Sequence, residues 1–220
     1  MPWFGKRGAA QQNPGERVQQ DMTALAGAME QDAQLMLRVK EGDEVSFQLL
    51  LERHRNGVVY FVYRMVQNQA VAEELAQEVF LRVYRSRQTY EPTAKFTTWL
   101  YRITTHLALN WLRDKKNERH QQSLDVEVEE GAGPRQVEDK AATVEQRMVR
   151  QARLGEIRRA IEALPEKQRA AVMMHKYEEM DYAQIAGVLQ CSESAVKSLL
   201  FRAYETLRAR LAHLSRGVQE

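Results

Sequence analysis

A single cysteine, Cys191, leaves no partner for an internal disulfide and no set of thiolates for a metal cage. That usage fits a reducing compartment, and Cys191 reads as a small apolar filler at a turn. The five histidines are scattered without the spacing of paired ligands, so no metal site is expected. No glycine-rich phosphate loop, no nucleophile beside a base and no pocket of clustered carboxylates can be traced, which argues against an enzyme; no cofactor is expected. Residues 1–15 contain no apolar run long enough for a signal peptide or a membrane span, so the reading places the protein in the cytoplasm with no stable membrane insertion. Strand-like alternation is missing. Charge of one sign is also scarce, since 32 Lys and Arg against 30 Asp and Glu leave a net charge of only +2.

That small net charge hides segregation. Residues 102–119 and the C-terminal helix are rich in Arg and Lys, whereas residues 125–130 carry four carboxylates, a pattern of local nucleic-acid surfaces separated by an acidic segment.

From Asp32 onward the apolar residues recur at helical spacing. A short helix ends near Gly42, and Asp43 caps a longer one with Phe47, Leu50, Leu51, His54, Val58, Phe61, Val62 and Met65 on its inner stripe. Asn68 breaks it. A third helix turns Leu75, Val79, Phe80, Val83 and Tyr84 inward, and a fourth, after a loop over 87–95 containing Pro92, keeps Phe96, Leu100, Ile103, Leu107 and Trp111 on one face. Periodicity fades between Asn117 and Ala142, where acidic residues, Gly131, Gly133 and Pro134 gather. Thr143 and Gln146 have capping-box spacing at the start of a further helix, which stops before Pro165, the expected first position of the next.

The expectation is an all-α protein: two small helical domains joined by a flexible acidic linker, the C-terminal one containing a helix-turn-helix. The boundaries read as a disordered tail at 1–30, a helical domain at 31–116, the linker at 117–142 and a second helical domain at 143–214. The helix-turn-helix runs from Asp181, which has capping-box spacing to Gln184, through Ser192, which caps the second helix. On that second helix Val196, Leu200, Ala203, Leu207 and Leu211 form the inner stripe, while Ser194, Lys197, Ser198, Phe201 and Arg202 face outward. Cations for phosphate and guanine, hydroxyls for phosphate or base edges and an apolar group for a thymine methyl suit a major groove. An aromatic on a polar face needs a cover, either a neighbouring helix or a ligand.

Three separated segments carry a family likeness. Glu73-Glu-Leu-Ala-Gln-Glu-Val-Phe-Leu-Arg-Val-Tyr84 resembles region 2.2, Phe96-Thr-Thr-Trp-Leu-Tyr-Arg-Ile-Thr-Thr-His-Leu-Ala-Leu-Asn-Trp-Leu-Arg113 resembles regions 2.3 and 2.4, and Leu164-Pro-Glu-Lys-Gln-Arg169 with the helix-turn-helix resembles region 4 of the extracytoplasmic-function class of bacterial sigma-70 family sigma factors. These are RNA polymerase subunits that recognise promoters.

The resemblance implies partners and sites. Glu74, Gln77, Glu78 and Leu81 would dock on the β′ clamp helices of RNA polymerase core, with the β subunit as a further contact. The loop over 87–95 would hold a base flipped from the −10 element, with Tyr90 to stack on it and Lys95 to meet phosphate. Arg102, Thr105, His106 and Asn110 would line the opened strand, and Arg113, Lys115, Lys116 and Arg119 would meet the upstream duplex. Ser194, Lys197, Ser198, Phe201 and Arg202 would read the −35 element, although many family members have Gly-Thr where this chain has Ser194-Ala195. An anti-sigma factor is a further implied partner, and the linker would either thread into the polymerase cleft or simply tether the domains. The competing function is a self-sufficient regulator that binds an operator as a dimer.

Overall fold

The computed structural model describes residues 31–121 and 144–216, and within them every regular element is helical. The expected tail, most of the acidic linker and the Thr143 cap lie outside the described residues.

Helix α1 covers 31–40 and gives way to Gly42, whose φ of +99° suits a residue without a Cβ. Asp43 then starts α2 (Glu44–Val66), its carboxylate accepting from the Val45 and Ser46 amides at 3.0 and 3.3 Å and from the Ser46 hydroxyl at 2.7 Å. Those bonds satisfy donors that a helix start leaves free. Gln67 ends α2 in the left-handed region, and Asn68 caps α3 (Gln69–Arg85) through its side chain to the Val71 amide. A single 3₁₀ turn, Arg87–Thr89, opens the loop before α4 (Phe96–Gln121). Because α4 continues to Gln121, the first five residues of the expected linker are helical.

The predicted stripes meet in one core. Val58, Phe61, Val62 and Met65 of α2, Val79, Phe80 and Val83 of α3, and Phe96, Leu100 and Leu107 of α4 are all buried. Each such side chain contributes about 1.5–3 kcal/mol by leaving water. His54, read as part of the stripe, has a polar task instead. It pairs with Asp32 of α1 at 2.9 Å, and Arg53 donates to the same carboxylate. Burial alone would raise the Asp32 pKa, but the hydrogen bonds and charges of His54 and Arg53 outweigh it and leave the carboxyl below its ordinary value.

The second half contains α5 (Val144–Glu162), α6 (Glu166–Tyr177), α7 (Tyr182–Leu189) and α8 (Glu193–Arg216). Pro165 occupies the cap before α6 instead of its first turn, a shift of one residue from expectation. The Asp181–Gln184 capping box forms in both directions, at 2.8 and 2.9 Å, and Ser192 accepts from the Ala195 amide at 3.2 Å. Between these caps Gln190 takes a left-handed φ of 52°, which turns the chain sharply enough for α8 to cross α7. Met173, Met174, Ile185, Val196, Leu200 and Ala203 fill the core beneath the turn.

The two helical units touch. Helix α4 lies along α7, and α2 meets α6. Arg169, buried at the start of α6, donates to the Met65 carbonyl of α2, to the carbonyl of Glu162 at the end of α5 and to that of Leu164 just beyond it. Its guanidinium therefore sits between the carbonyl ends of two helices, where the partial negative charge of each favours a cation. Burial lowers its pKa, with Glu162 and Glu166 pulling the other way.

Candidate nucleic-acid interface

Three surfaces carry the residues singled out by sequence. The first is on α8, where Ser194, Lys197, Ser198, Phe201 and Arg202 are all exposed on the side opposite the buried Val196, Leu200 and Ala203. Phe201 is 68% exposed, so no neighbouring helix covers it. A cluster missed by sequence reasoning lies at the base of this face. His175 of α6 pairs with the Tyr204 hydroxyl at 3.1 Å and packs against the Tyr182 ring at 5.7 Å, while the Lys197 ammonium lies 5.9 Å from that ring. The spread of these residues over three helices left no local sequence signal.

The second surface combines the 87–95 loop with α4. Lys95, Arg102, His106, Arg113 and Lys116 are exposed, and Asn110 and Lys115 are partly so, with the Lys115 ammonium 4.7 Å from the Trp111 ring centre. Arg113 also pairs with Asp114 at 3.6 Å. The Arg119 side chain lies outside the described residues. Two expectations fail here. Tyr90 is 1% exposed: its ring packs edge-on against Trp99 at 5.0 Å and Phe96 at 6.2 Å, so it has no free face for a base. The loop is pinned above it, because Lys40 donates to the Tyr90 carbonyl at 3.2 Å and Gln88 to the Lys40 carbonyl at 3.0 Å. Burial raises the Tyr90 pKa, and nearby Asp32 adds to the rise. Thr105, expected outward, is 2% exposed.

What the loop offers instead is a cavity of about 270 Å³, walled by Thr89, Glu91, Thr93, Trp99 and Arg102 and, across the seam, by Gly187. Thr98 and Tyr101 fall on the same α4 stripe as Thr105 and are buried with it. Tyr101 passes close to Gly57, where a Cβ would lie 3.1 Å from its hydroxyl, and donates to the Glu178 carboxylate. Burial raises both groups, with the charge of Glu178 adding to the rise at Tyr101 and the Tyr101 hydrogen bond and Arg64 partly offsetting it at Glu178.

The third surface is on α3. Glu74, Gln77 and Leu81 are exposed and Glu78 partly so, with Glu78 held by Arg82 at 2.7 Å in a bond that lowers its pKa. Gln77 and Leu81 border a groove of about 780 Å³ between α2 and α3, completed by Phe47, Leu51, Val59 and Tyr84. Glu74 and Glu78 stand one stripe away on the outer flank. On α2, exposed Val45 and Leu49 add more apolar surface than one inner stripe requires.

Both helical units resemble known proteins. The profile of Sigma-70 region 2 matches residues 50–118, and that of Sigma-70, region 4 matches residues 154–207. The chain is similar to the RNA polymerase sigma-H factor of Pseudomonas aeruginosa, 33% identical over 190 residues that cover 85% of this chain and 97% of that protein. It is also similar to the ECF RNA polymerase sigma factor SigW of Bacillus subtilis, 31% identical over 180 residues, covering 80% and 95%. The ECF RNA polymerase sigma-E factor of Escherichia coli is 30% identical over 191 residues, covering 84% and 96%. In fold the chain is similar to the sigma factor RpoE of Bartonella quintana, solved in complex with the anti-sigma factor NepR, with a TM-score of 0.60 at 16% identity over 79% of this chain and 98% of that one.

Proposed function

The chain belongs to the extracytoplasmic-function class of the sigma-70 family of RNA polymerase sigma factors, and from that premise we propose how its surfaces divide the work of promoter-specific initiation. The α2–α3 groove, bordered by Gln77 and Leu81 and flanked by Glu74 and Glu78, docks on the β′ clamp helices of polymerase core. The 87–95 loop and α4 take the opened −10 strand, with the loop cavity as the pocket for a displaced base and Lys95, Arg102, His106 and Asn110 as its polar surround. Arg113, Lys115 and Lys116 meet the phosphates upstream. The α8 face reads the −35 element through Ser194, Lys197, Ser198, Phe201 and Arg202. Region 2 then spans 31–121 and region 4 spans 144–214, the protein works in the cytoplasm, and its chemistry is binding, not catalysis.

The observation that carries this division is the α8 face. Lys197, Ser198, Phe201 and Arg202 project together from adjacent turns, and an aromatic 68% exposed beside two cations fits groove contact better than solvent contact. The dimeric regulator is not favoured, because the relatives matching most of the chain are sigma factors. An anti-sigma factor is a proposed partner, following the complex in which RpoE was solved.

Run-off transcription with purified core tests the division. The protein is expected to direct specific transcripts, and Arg202→Ala is expected to weaken −35 recognition by about 1–3 kcal/mol and relax selectivity at one position. Wild-type initiation by Arg202→Ala from every −35 variant removes α8 as the reader.

A further inference from the structure

Between α2, α5 and α6 lies a cavity of about 390 Å³ that none of the three surfaces uses. Its size falls within the range of about 300–1,000 Å³ typical of small-molecule sites. Part of its wall is apolar, made by Leu154, Ile157 and Ile161 of α5 with Met173 of α6. Another part is cationic, made by Arg64 of α2 and Arg158 of α5, and no aspartate or glutamate lines the cavity.

Arg64 is made ready for an anion by what covers it. Its guanidinium lies 3.9 Å from the Tyr177 ring centre and 6.0 Å from that of Tyr60. Rings over a guanidinium take its faces and leave the N–H groups at its edge, the groups that grip a carboxylate or phosphate in two parallel bonds. Among the described residues no carboxylate forms an ion pair with Arg64 or Arg158. By contrast Arg53 and Arg82 each have a carboxylate, and Arg169 has three carbonyls. Glu178 feels the Arg64 charge, but its carboxylate accepts from Tyr101 and does not line the cavity. Gln67 completes the α2 wall, its amide donating to the Arg64 carbonyl at 3.0 Å.

We propose that this cavity binds a small organic anion, with a carboxylate or phosphate head held by Arg64 and Arg158 and a compact ring or branched hydrocarbon body against Leu154, Ile157, Ile161 and Met173. The two arginines disfavour a cationic ligand, and the apolar wall sets organic acids apart from inorganic ions. Because the walls come from α2 on one side and from α5 and α6 on the other, the bound anion touches both helical units. Binding is a property of the chain alone and does not depend on how the promoter surfaces are assigned.

Methionine-methyl NMR of the full chain tests it. Benzoate and phenyl phosphate supply the two heads, benzylamine carries the same ring with the opposite charge, and inorganic phosphate is a head without a body. Both acids are expected to shift the Met173 methyl signal, assigned through Met173→Leu, in a saturable way with a Kd of about 1 mM or tighter. Benzylamine and inorganic phosphate are expected to bind at least about tenfold more weakly. Arg64→Gln and Arg158→Gln are each expected to weaken the acids by more than about tenfold, with the spectrum of the free protein still that of a folded chain. No saturation by either acid up to about 10 mM overturns the proposal, as does equal binding of benzylamine or of inorganic phosphate, or acid binding that the variants retain. Should Arg64→Gln not fold, Arg158→Gln at its exposed position decides alone. A chain that binds the acids yet starts no specific transcript with core refutes the promoter reading and not this one, so the two fail separately.

Discussion

Replacing Arg169 by methionine keeps an unbranched stem and removes a charged donor from three carbonyls. The Met65, Glu162 and Leu164 oxygens then lose their shared partner in a site the native arginine leaves almost closed to water. A hydrogen bond from a charged group contributes about 1.5–3 kcal/mol, and a buried acceptor left unpaired costs about 1–3 kcal/mol. The three do not add, because carbonyls near the ends of α2 and α5 regain some water once the guanidinium leaves, while burying apolar methionine avoids the desolvation that lowers the Arg169 pKa. The net loss expected is about 3–5 kcal/mol of unfolding free energy, a large share of the 5–15 kcal/mol typical of a domain. Arg169→Lys keeps the charge but not the fork, so it is expected to fall between wild type and methionine. Urea unfolding followed by circular dichroism measures both. An Arg169→Met protein within about 0.5 kcal/mol of wild type would refute the assignment of Arg169 as the tie between the two helix ends.

Three further outcomes are expected. Leu81→Glu sets a carboxylate at the edge of the α2–α3 groove, at a position 50% exposed, and is expected to weaken core binding by about 1–3 kcal/mol with the fold intact; titration of labelled protein with core checks it, and unchanged affinity removes the groove as the docking surface. Glu78→Lys is expected to do less, because Arg82 already occupies that carboxylate. Asp32 has a folded pKa below its unfolded one, so its contribution to stability is present above the ordinary aspartate range and is lost as the pH falls through the folded value. Unfolding free energies across an acid series are expected to decline in that window for wild type and less steeply for Asp32→Asn; parallel curves would refute the role given to the contacts from Arg53 and His54.

The features that sequence made legible are local ones. Asp43, Asp181 with Gln184, and Ser192 each solve a problem at a helix start within three residues, so their spacing alone announces them, whereas Asn68 reads only as a break and its cap on α3 emerges in the structure. The apolar stripes of α2, α3 and α8 were legible for the same reason, since a repeat of three to four residues is set by the helix and not by its neighbours. The outward face of α8 follows from its buried stripe by subtraction. Long-range features were not legible. Tyr90 beside Pro92 in a polar loop looks like a surface aromatic, and only the contacts with Phe96, Trp99 and distant Lys40 turn it inward. Thr105 looks solvent-facing in a polar run, yet it is buried, on a helix against which α6 and α7 of the second half pack. The pairing of Asp32 with Arg53 and His54 spans a turn between helices, and no periodicity reports it.

The Arg169–Met65 contact is asymmetric in a way that bears on genetics. Its acceptor is a main-chain carbonyl, which stays in the chain whatever side chain stands at position 65. A selection for variants that loosen this tie should therefore recover changes of the donor, and of the packing that positions the α2 terminus, but no change that deletes the acceptor itself. A library covering both helices would return an uneven map across one contact, dense at 169 and sparse at 65, and compensating pairs of the kind that reveal side-chain partners would not appear there.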